Sequence, residues 1–449
     1  MILLSIYFLQ EGDFVMIYAI VLFAVTYVLM IAFGKYRPYI AVASGLIFII
    51  SGMLPLGDVF GALDFNVLLM IAGTMGLVQL FIDSQMPNRL ADIVMRWVPN
   101  VCWAAVALSL FAGVISAFVD NVATVLMVAP VALAICQKLK TNPVPFIIAI
   151  AVSSNLQGAA TLVGDTTAIM LGSALDMSFF DFFWYQGKPS IFFAVELGAV
   201  LSAAIVWWIF RKEKAPIDKN VALTPVTDYV PTYLLVGTIG LLMAASFAPD
   251  SWNLPAEING LIACGVLVIG LVYNFIKQKT LSAVVGPLKA IDFETLGLLV
   301  GLFLMIGGIE KMGVIAELAN LLAKLGGGNL FLLYTVIVWA SVLISAFIDN
   351  IPYVATMIPV IGGLATQMAG GDAGKAALMA IPLYFGLLSG ATLGGNITPI
   401  GASANIAGTG ILRKAGYEVK NSDFFKIGIP FTCAAVIPAY IYIWLIYGM

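Results

Sequence analysis

Ten apolar stretches follow one another along the chain, at 14–33, 38–54, 64–83, 144–171, 189–210, 230–248, 257–276, 292–310, 375–411 and 427–448. Each approaches or exceeds the roughly 20 residues that a helix needs to cross a bilayer. Lipid offers no partner to backbone N–H and C=O groups, so such stretches must satisfy their hydrogen bonds internally, as helices. The chain is 62% hydrophobic and 10% charged, against about 25% charged in soluble domains. An all-α polytopic membrane protein follows. Histidine is absent, which removes the commonest metal ligand and general base. Cys102, Cys136, Cys264 and Cys433 are far apart and read as small hydrophobes. There is no basic patch for nucleic acid. The leading segment, Met1 to Gln10, lacks a basic start and a small-residue cleavage site, so no signal peptide is expected.

Two further apolar regions, 101–137 and 329–369, are too long for one span and are split by polar residues. The first contains Ser116-Ala117-Phe118-Val119-Asp120-Asn121, the second Ser345-Ala346-Phe347-Ile348-Asp349-Asn350. Ten residues after each Asp comes a proline, Pro130 or Pro359. Each region is either two full spans or one re-entrant hairpin that turns at mid-depth. Asp and Asn suit such a tip, because their side chains bond nearby backbone amides. A helix cap alone would account for either Asp taken singly.

If both regions are hairpins that do not cross, each half of the chain crosses five times. With the N-terminus outside, every one of the 21 basic residues except Lys188, Lys311, Lys324 and Lys375 falls on the cytoplasmic side. The positive-inside rule asks for that bias. An odd number of crossings makes the second half an inverted repeat of the first. The repeat is also written in residues. Asp64-Phe65 matches Asp292-Phe293, Thr161 to Thr166 matches Thr398 to Ser403, and Asp181-Phe182-Phe183 matches Asp423-Phe424-Phe425. The predicted organisation is a first repeat over 1–210, a cytoplasmic linker over 211–229 and a second repeat over 230–449. Two short amphipathic segments precede the split regions: Leu90, Ile93, Val94 and Trp97 share one face, as do Ile315, Leu318, Leu322 and Leu325. They read as interfacial helices, or as arms between a fixed and a moving part.

The spans over about 144–171 and 375–411 are interrupted by glycine and polar residues, which points to broken helices at mid-membrane. Unwound carbonyls there can hold cations, and half-helix N-termini attract anions. The candidate binding residues are Asp120, Asn121, Asn155, Thr161, Gly164, Asp165, Thr166, Thr167, Asp349, Asn350, Asn396, Thr398, Gly401, Ser403 and Asn405. Asp165 stands out because its repeat partner is Ala402. Of the ionisable residues expected at depth, Asp120, Asp165, Asp349 and the shallower Glu196 are acidic and none is basic. A carboxylate held away from water binds a proton or a cation readily. Handling of Na⁺ or H⁺, as cargo or coupling ion, follows.

Phe347 to Pro359, Leu393 to Asn405 and Gly416-Tyr417 resemble the arsenite-permease, melanosomal P-protein and citrate-transporter-like branch of the ion-transporter superfamily. Asn155 to Thr167 resembles that branch's Asn-Ile-Gly-Gly-Thr-Ala-Thr-Leu-Ile-Gly-Asp-Pro-Pro-Asn run, with Asp165-Thr166-Thr167 in place of Asp-Pro-Pro. The Gly-Asp-x-Thr form is similar to the NhaD sodium/proton antiporters. The resemblance implies two hairpins meeting two broken helices, a homodimer through scaffold helices, and elevator-type alternating access. The Asp-Asn tips match the Ser-Asn-Thr tips of divalent-anion/sodium symporters. That match implies sodium sites at Asp120, Asn121 and Gly164 and at Asp349, Asn350 and Gly401. The expected function is secondary active transport of a small anion or oxyacid such as arsenite, coupled to H⁺ or Na⁺. A Na⁺/H⁺ antiporter is the alternative. A plasma (inner) membrane location is expected, with no enzymatic activity and no cofactor beyond the coupling ion. An intramembrane aspartyl protease would want Gly-x-Gly-Asp where Leu162-Val163-Gly164-Asp165 stands. No GxxxxGK[ST] run occurs, so nucleotide would enter only through a separate ATPase subunit.

Overall fold

Asp64 and Asp292 each open a long helix by accepting from the amide three residues on, Val67 N and Thr295 N, both at 3.0 Å. Asn100 and Asn329 do the same at Trp103 N and Leu332 N, both at 3.1 Å. Each such cap satisfies a backbone donor that the first turn leaves open. These matched starts mark an order of elements that runs twice. The computed structural model describes residues 2–217 and 222–448. Met1 of the leading segment and residues 218–221 of the expected linker, with Lys219, lie outside the described residues.

The first run is α1 (Ile2–Ala32), α2 (Arg37–Ile50), α3 (Val59–Ala62), α4 (Phe65–Asp83), α5 (Met86–Trp97), α6 (Val101–Ser116), α7 (Asn121–Leu139), α8 (Val144–Gly158), α9 (Thr166–Ala174) and α10 (Ile191–Phe210). The second is α11 (Val230–Ser246), α12 (Ile258–Gln278), α13 (Ser282–Lys289), α14 (Phe293–Lys311), α15 (Val314–Gly326), α16 (Leu330–Ser345), α17 (Asn350–Met368), α18 (Ala373–Gly394), α19 (Ser403–Lys414) and α20 (Asn421–Tyr447). Among the described residues, nine helices are long and apolar enough to cross a membrane. The protein is an all-α integral membrane protein. Its sheet is a two-stranded ribbon, β1 (Trp184–Tyr185) with β2 (Lys188–Pro189).

The two runs exchange helices. α2 packs on α14, and α4 packs on α12. Glycines let each pair approach closely, as small residues do between membrane helices. A methyl on Gly301 would stand 2.3 Å from the Ala41 carbonyl carbon, and one on Gly73 would stand 2.6 Å from that of Ala263. α1 also packs on α2 and α14, and α11 on α12 and α4. The other long helices form a second body. α6 packs on α8, α16 on α18, and α10 on α20. α8 is buried along almost its whole length, as is the C-terminal two-thirds of α18.

Several expectations shift. The span expected over 38–54 ends at Ile50, because Gly52 (φ +78°) turns the chain. Helices α3 and α13 and the ribbon were not legible in the apolar pattern. The expected apolar faces of α5 and α15 turn outward only in part, since Val94, Leu318 and Leu322 pack against the core. Pro87, Ala91 and Met95 pack inward on α5, whereas Trp97 is 82% exposed. Val314, Ile315 and Ala319 pack inward on α15, with Leu325 exposed. Lipid, unlike water, accepts large apolar side chains on the outer face.

Candidate functional site

The two split regions are helix pairs, α6–α7 and α16–α17, each turning at its Ala-Phe-x-Asp sequence. Asp120 Oδ1 accepts from Val122 N and Ala123 N at 3.0 and 3.1 Å, and Asp349 Oδ1 from Ile351 N at 3.2 Å. The cap role is therefore real for both. It occupies one carboxylate oxygen of each and leaves the other for something else.

Both expected breaks are present, between α8 and α9 and between α18 and α19. The residues that open their second halves match closely. Asp165 has φ −144° and ψ 149°, and Ala402 has φ −146° and ψ 147°. Each break also wraps a glycine in carbonyl oxygens. A methyl on Gly164 would lie 2.5 Å from Gly158 O, 2.8 Å from Ser116 O and 2.9 Å from Ala117 O. On Gly401 it would lie 2.6 Å from Gly395 O and 2.9 Å from both Ala346 O and Ser345 O. Thr161 Oγ1 donates to Ala117 O, and Thr398 Oγ1 donates to Ala346 O at 2.5 Å. Each hairpin tip is thereby pinned to its own broken helix through a carbonyl-rich cradle.

One hydrogen-bonded chain joins the two cradles. Ser154 Oγ donates to Ser116 Oγ at 3.0 Å, and Ser116 Oγ donates to Asn121 Oδ1 at 2.8 Å. Asn121 Nδ2 donates to Asn155 Oδ1 at 3.2 Å. Asn155 Nδ2 reaches across to Thr392 O (2.7 Å) and Asn396 Oδ1 (3.0 Å). Thr167 Oγ1 lies 3.1 Å from Thr392 Oγ1 and donates to Asp165 Oδ2 at 2.8 Å. Asn350 Nδ2 donates to the same Asp165 oxygen at 3.3 Å. Asn405 Nδ2 ties the second break together, donating to Gly395 O and Thr398 O, both at 2.9 Å. Asn396 Nδ2 and Asn405 Oδ1 are buried with no hydrogen-bond partner. Ser116, Ser154 and Thr392 complete this chain and were not singled out in the sequence. Their signal was present, since all three lie inside the polar interruptions or the repeated tip.

A cavity of about 1080 Å³ opens onto this network. Asp120, Asn121, Asn155, Asp165, Thr166, Asn350 and Ser403 line its inner end. Thr161, Gly164, Thr167, Asp349, Asn396, Thr398, Gly401 and Asn405 are not on the wall; they lie in the layer behind it. The opposite wall is α4, α5 and the start of α14, with Gln79, Asp92, Asp292 and Thr295. Lys138, Pro216, Ile217 and Thr224 line the cavity as well. Thr224 is fixed there by Asp92 Oδ2, which accepts from its N at 2.7 Å and its Oγ1 at 2.6 Å. Ser173 on α9 donates to Asp64 Oδ2 at 2.5 Å, which ties the first broken helix to the start of α4.

One expectation fails. A basic residue does reach the site: Arg37 Nη1 lies 3.3 Å from Asp349 Oδ2. Arg37 sits at the cytoplasmic end of the expected spans, and only the tertiary fold brings it to the tip of the second hairpin.

The citrate transporter family model matches residues 27–384. An uncharacterized transporter of Mycobacterium tuberculosis is 30% identical over 447 residues, covering 96% of this chain and 98% of that one. The P protein of Homo sapiens is 27% identical, with 82% of this chain aligned to 52% of that protein. Among solved structures, the YdaH transporter of Alcanivorax borkumensis has a TM-score of 0.60 at 15% identity, covering 90% of this chain and 89% of that one. MtrF of Neisseria gonorrhoeae, described as illuminating a class of antimetabolite efflux pumps, has a TM-score of 0.57 at 15% identity and covers 90% of this chain and 85% of that one. These two likenesses concern the fold. The chain is a membrane transporter and belongs to the citrate transporter family.

Proposed function

We propose that the chain is a secondary active permease for a small anion or oxyacid, driven by Na⁺ or H⁺ bound at the hairpin tips. The observation that carries this reading is the meeting of both tips and both broken helices on one cavity. Carbonyl cradles at Gly164 and Gly401, each beside a tip carboxylate, offer cation ligands of the oxygen type that Na⁺ takes. A cation held there would offset the carboxylates and let an anion approach the N-terminal end of α9 or α19. Arsenite, a neutral hydroxide near pH 7, would need no such neutralisation. Among the described residues no cysteine lines the cavity, so it would be held through its oxygens.

In this reading the halves 1–210 and 230–449 are inverted repeats, and α6–α7 and α16–α17 are re-entrant hairpins. The body α2, α4, α12 and α14 is a fixed scaffold through which two copies associate. The second body moves across the membrane as an elevator. Pro216, Ile217, Ala222 and Thr224, from the segment expected in the cytoplasm, line the cavity, which supports reading it as open to the inside of the plasma membrane.

The second reading, a Na⁺/H⁺ antiporter, is favoured by the charge of the wall. Asp92, Asp120, Asp165 and Asp292 line the cavity, and among the described residues Lys138 is the one basic residue that does. Proteoliposomes with a trapped pH dye separate the two. The permease reading expects no proton flux on adding Na⁺ until an oxyanion is supplied. Na⁺-driven proton flux without any added anion would replace it by the antiporter.

A further inference from the structure

Asp120 and Asp349 hold equivalent places on the two hairpins, yet their second oxygens differ. Asp120 Oδ2 has no hydrogen-bond partner among the described residues, and Asp120 lines the cavity. Asp349 Oδ2 instead accepts from Arg37 Nη1 and Ser403 Oγ, both at 3.3 Å. Arg37 is itself anchored, with its Nε donating to Met30 O at 3.2 Å. The same part of the chain grips the hairpin again where the Tyr27 hydroxyl donates to Pro352 O at 2.6 Å. A single guanidinium nitrogen meets a single carboxylate oxygen. That is a separable pair, without the second bond of a bidentate fork.

The first hairpin has no such counterpart. Gly301 of α14 abuts Ala41 and Val42 of α2, and Gly73 of α4 abuts Ala263 and Cys264 of α12 in the same manner. This packing register aligns Ala41 with Ala263, and therefore Arg37 with Asn259. Asn259 carries no charge.

We infer that Arg37 is a built-in counter-ion that takes the place of a coupling cation at Asp349 in this conformation, so that cation from the open cavity loads at the Asp120 tip alone. This rests on the reading that the tips bind the coupling cation. Arginine keeps its proton at any working pH, so the charge of Asp349 is balanced whatever the cation concentration. Arg37 belongs to α2, on the α14 body, and Asp349 belongs to the hairpin. Movement of one past the other separates them. Asp349 then requires a cation from solution, because an unpaired carboxylate inside a membrane protein is costly. On return, Arg37 displaces that cation on the side where the cavity opens.

Melting of the purified protein against rising Na⁺ or Li⁺ tests this. Each cation site adds the same stability increment per tenfold rise in saturating cation, so the slope counts sites. Wild type should show a one-site slope and Arg37→Gln about twice that slope. The double variant Arg37→Gln/Asp349→Asn should return to the one-site slope. An Arg37→Gln protein that is folded only with Na⁺ or Li⁺ present supports the proposal equally. An Arg37→Gln protein with the wild-type slope, or one that neither cation rescues, overturns it. A wild-type protein that responds to neither cation overturns the Na⁺ form of the tip reading, and this proposal with it.

Discussion

Asp165 is where a single atom change says most. Its Oδ2 accepts from Thr167 and Asn350, and its side chain also faces the cavity. Asparagine in its place keeps an oxygen for those two donors and loses only the charge. Asp165→Asn is therefore expected to melt near the wild-type temperature and to lose coupled uptake in proteoliposomes; wild-type transport would remove Asp165 from the mechanism. Gly401 is constrained by shape rather than charge. A Cβ there would meet three backbone carbonyls within 2.9 Å. Backbone cannot swing aside as a side chain can, so Gly401→Ala should cost about 1–3 kcal/mol, as overpacking does. Melting and transport should fall together, and an alanine variant with unchanged melting would show that the cradle is looser than described. Asp165 was legible in sequence because its repeat partner is an alanine. Arg37 was not, because a basic residue at a membrane end is the ordinary expectation and nothing local marks it for an ion pair 312 residues away.

At the scale of elements, the paired acidic residues were legible as element starts, while the caps at Asn100 and Asn329 were not singled out. Asp64, Asn100, Asp120, Asp292, Asn329 and Asp349 all cap the helices that follow them. Asn100→Ala removes one such bond from the first turn of α6 and should lower stability by about 1 kcal/mol. Thermal melting reads this directly, and no change would mean that water replaces the cap. Helices α3 and α13 escaped notice because they are too short to leave a period. The faces of α5 and α15 were readable as amphipathic, but not that their last apolar residues, Trp97 and Leu325, would stay exposed. Hydrophobic periodicity marks the face that avoids water, and beside lipid that face can look outward.

For the molecule as a whole, the doubled order of elements was visible in the repeated Asp-Asn tips and the two polar interruptions. The exchange of α2 and α4 between halves was not, since apolar helices carry no mark of their partner beyond small residues such as Gly73 and Gly301. The account's central claim is that both tips and both breaks share one cavity open to one side. Ala123, one turn into α7, and Ala404, in the first turn of α19, both line it from different halves of the chain. Single cysteines at these positions, with the four native cysteines replaced, can be probed with a membrane-impermeant maleimide from either side of oriented vesicles. The account predicts that Ala123→Cys and Ala404→Cys both react from the side that carries residues 211–229, and that transported substrate protects both. Labelling of the two from opposite sides, or protection of only one, would contradict it.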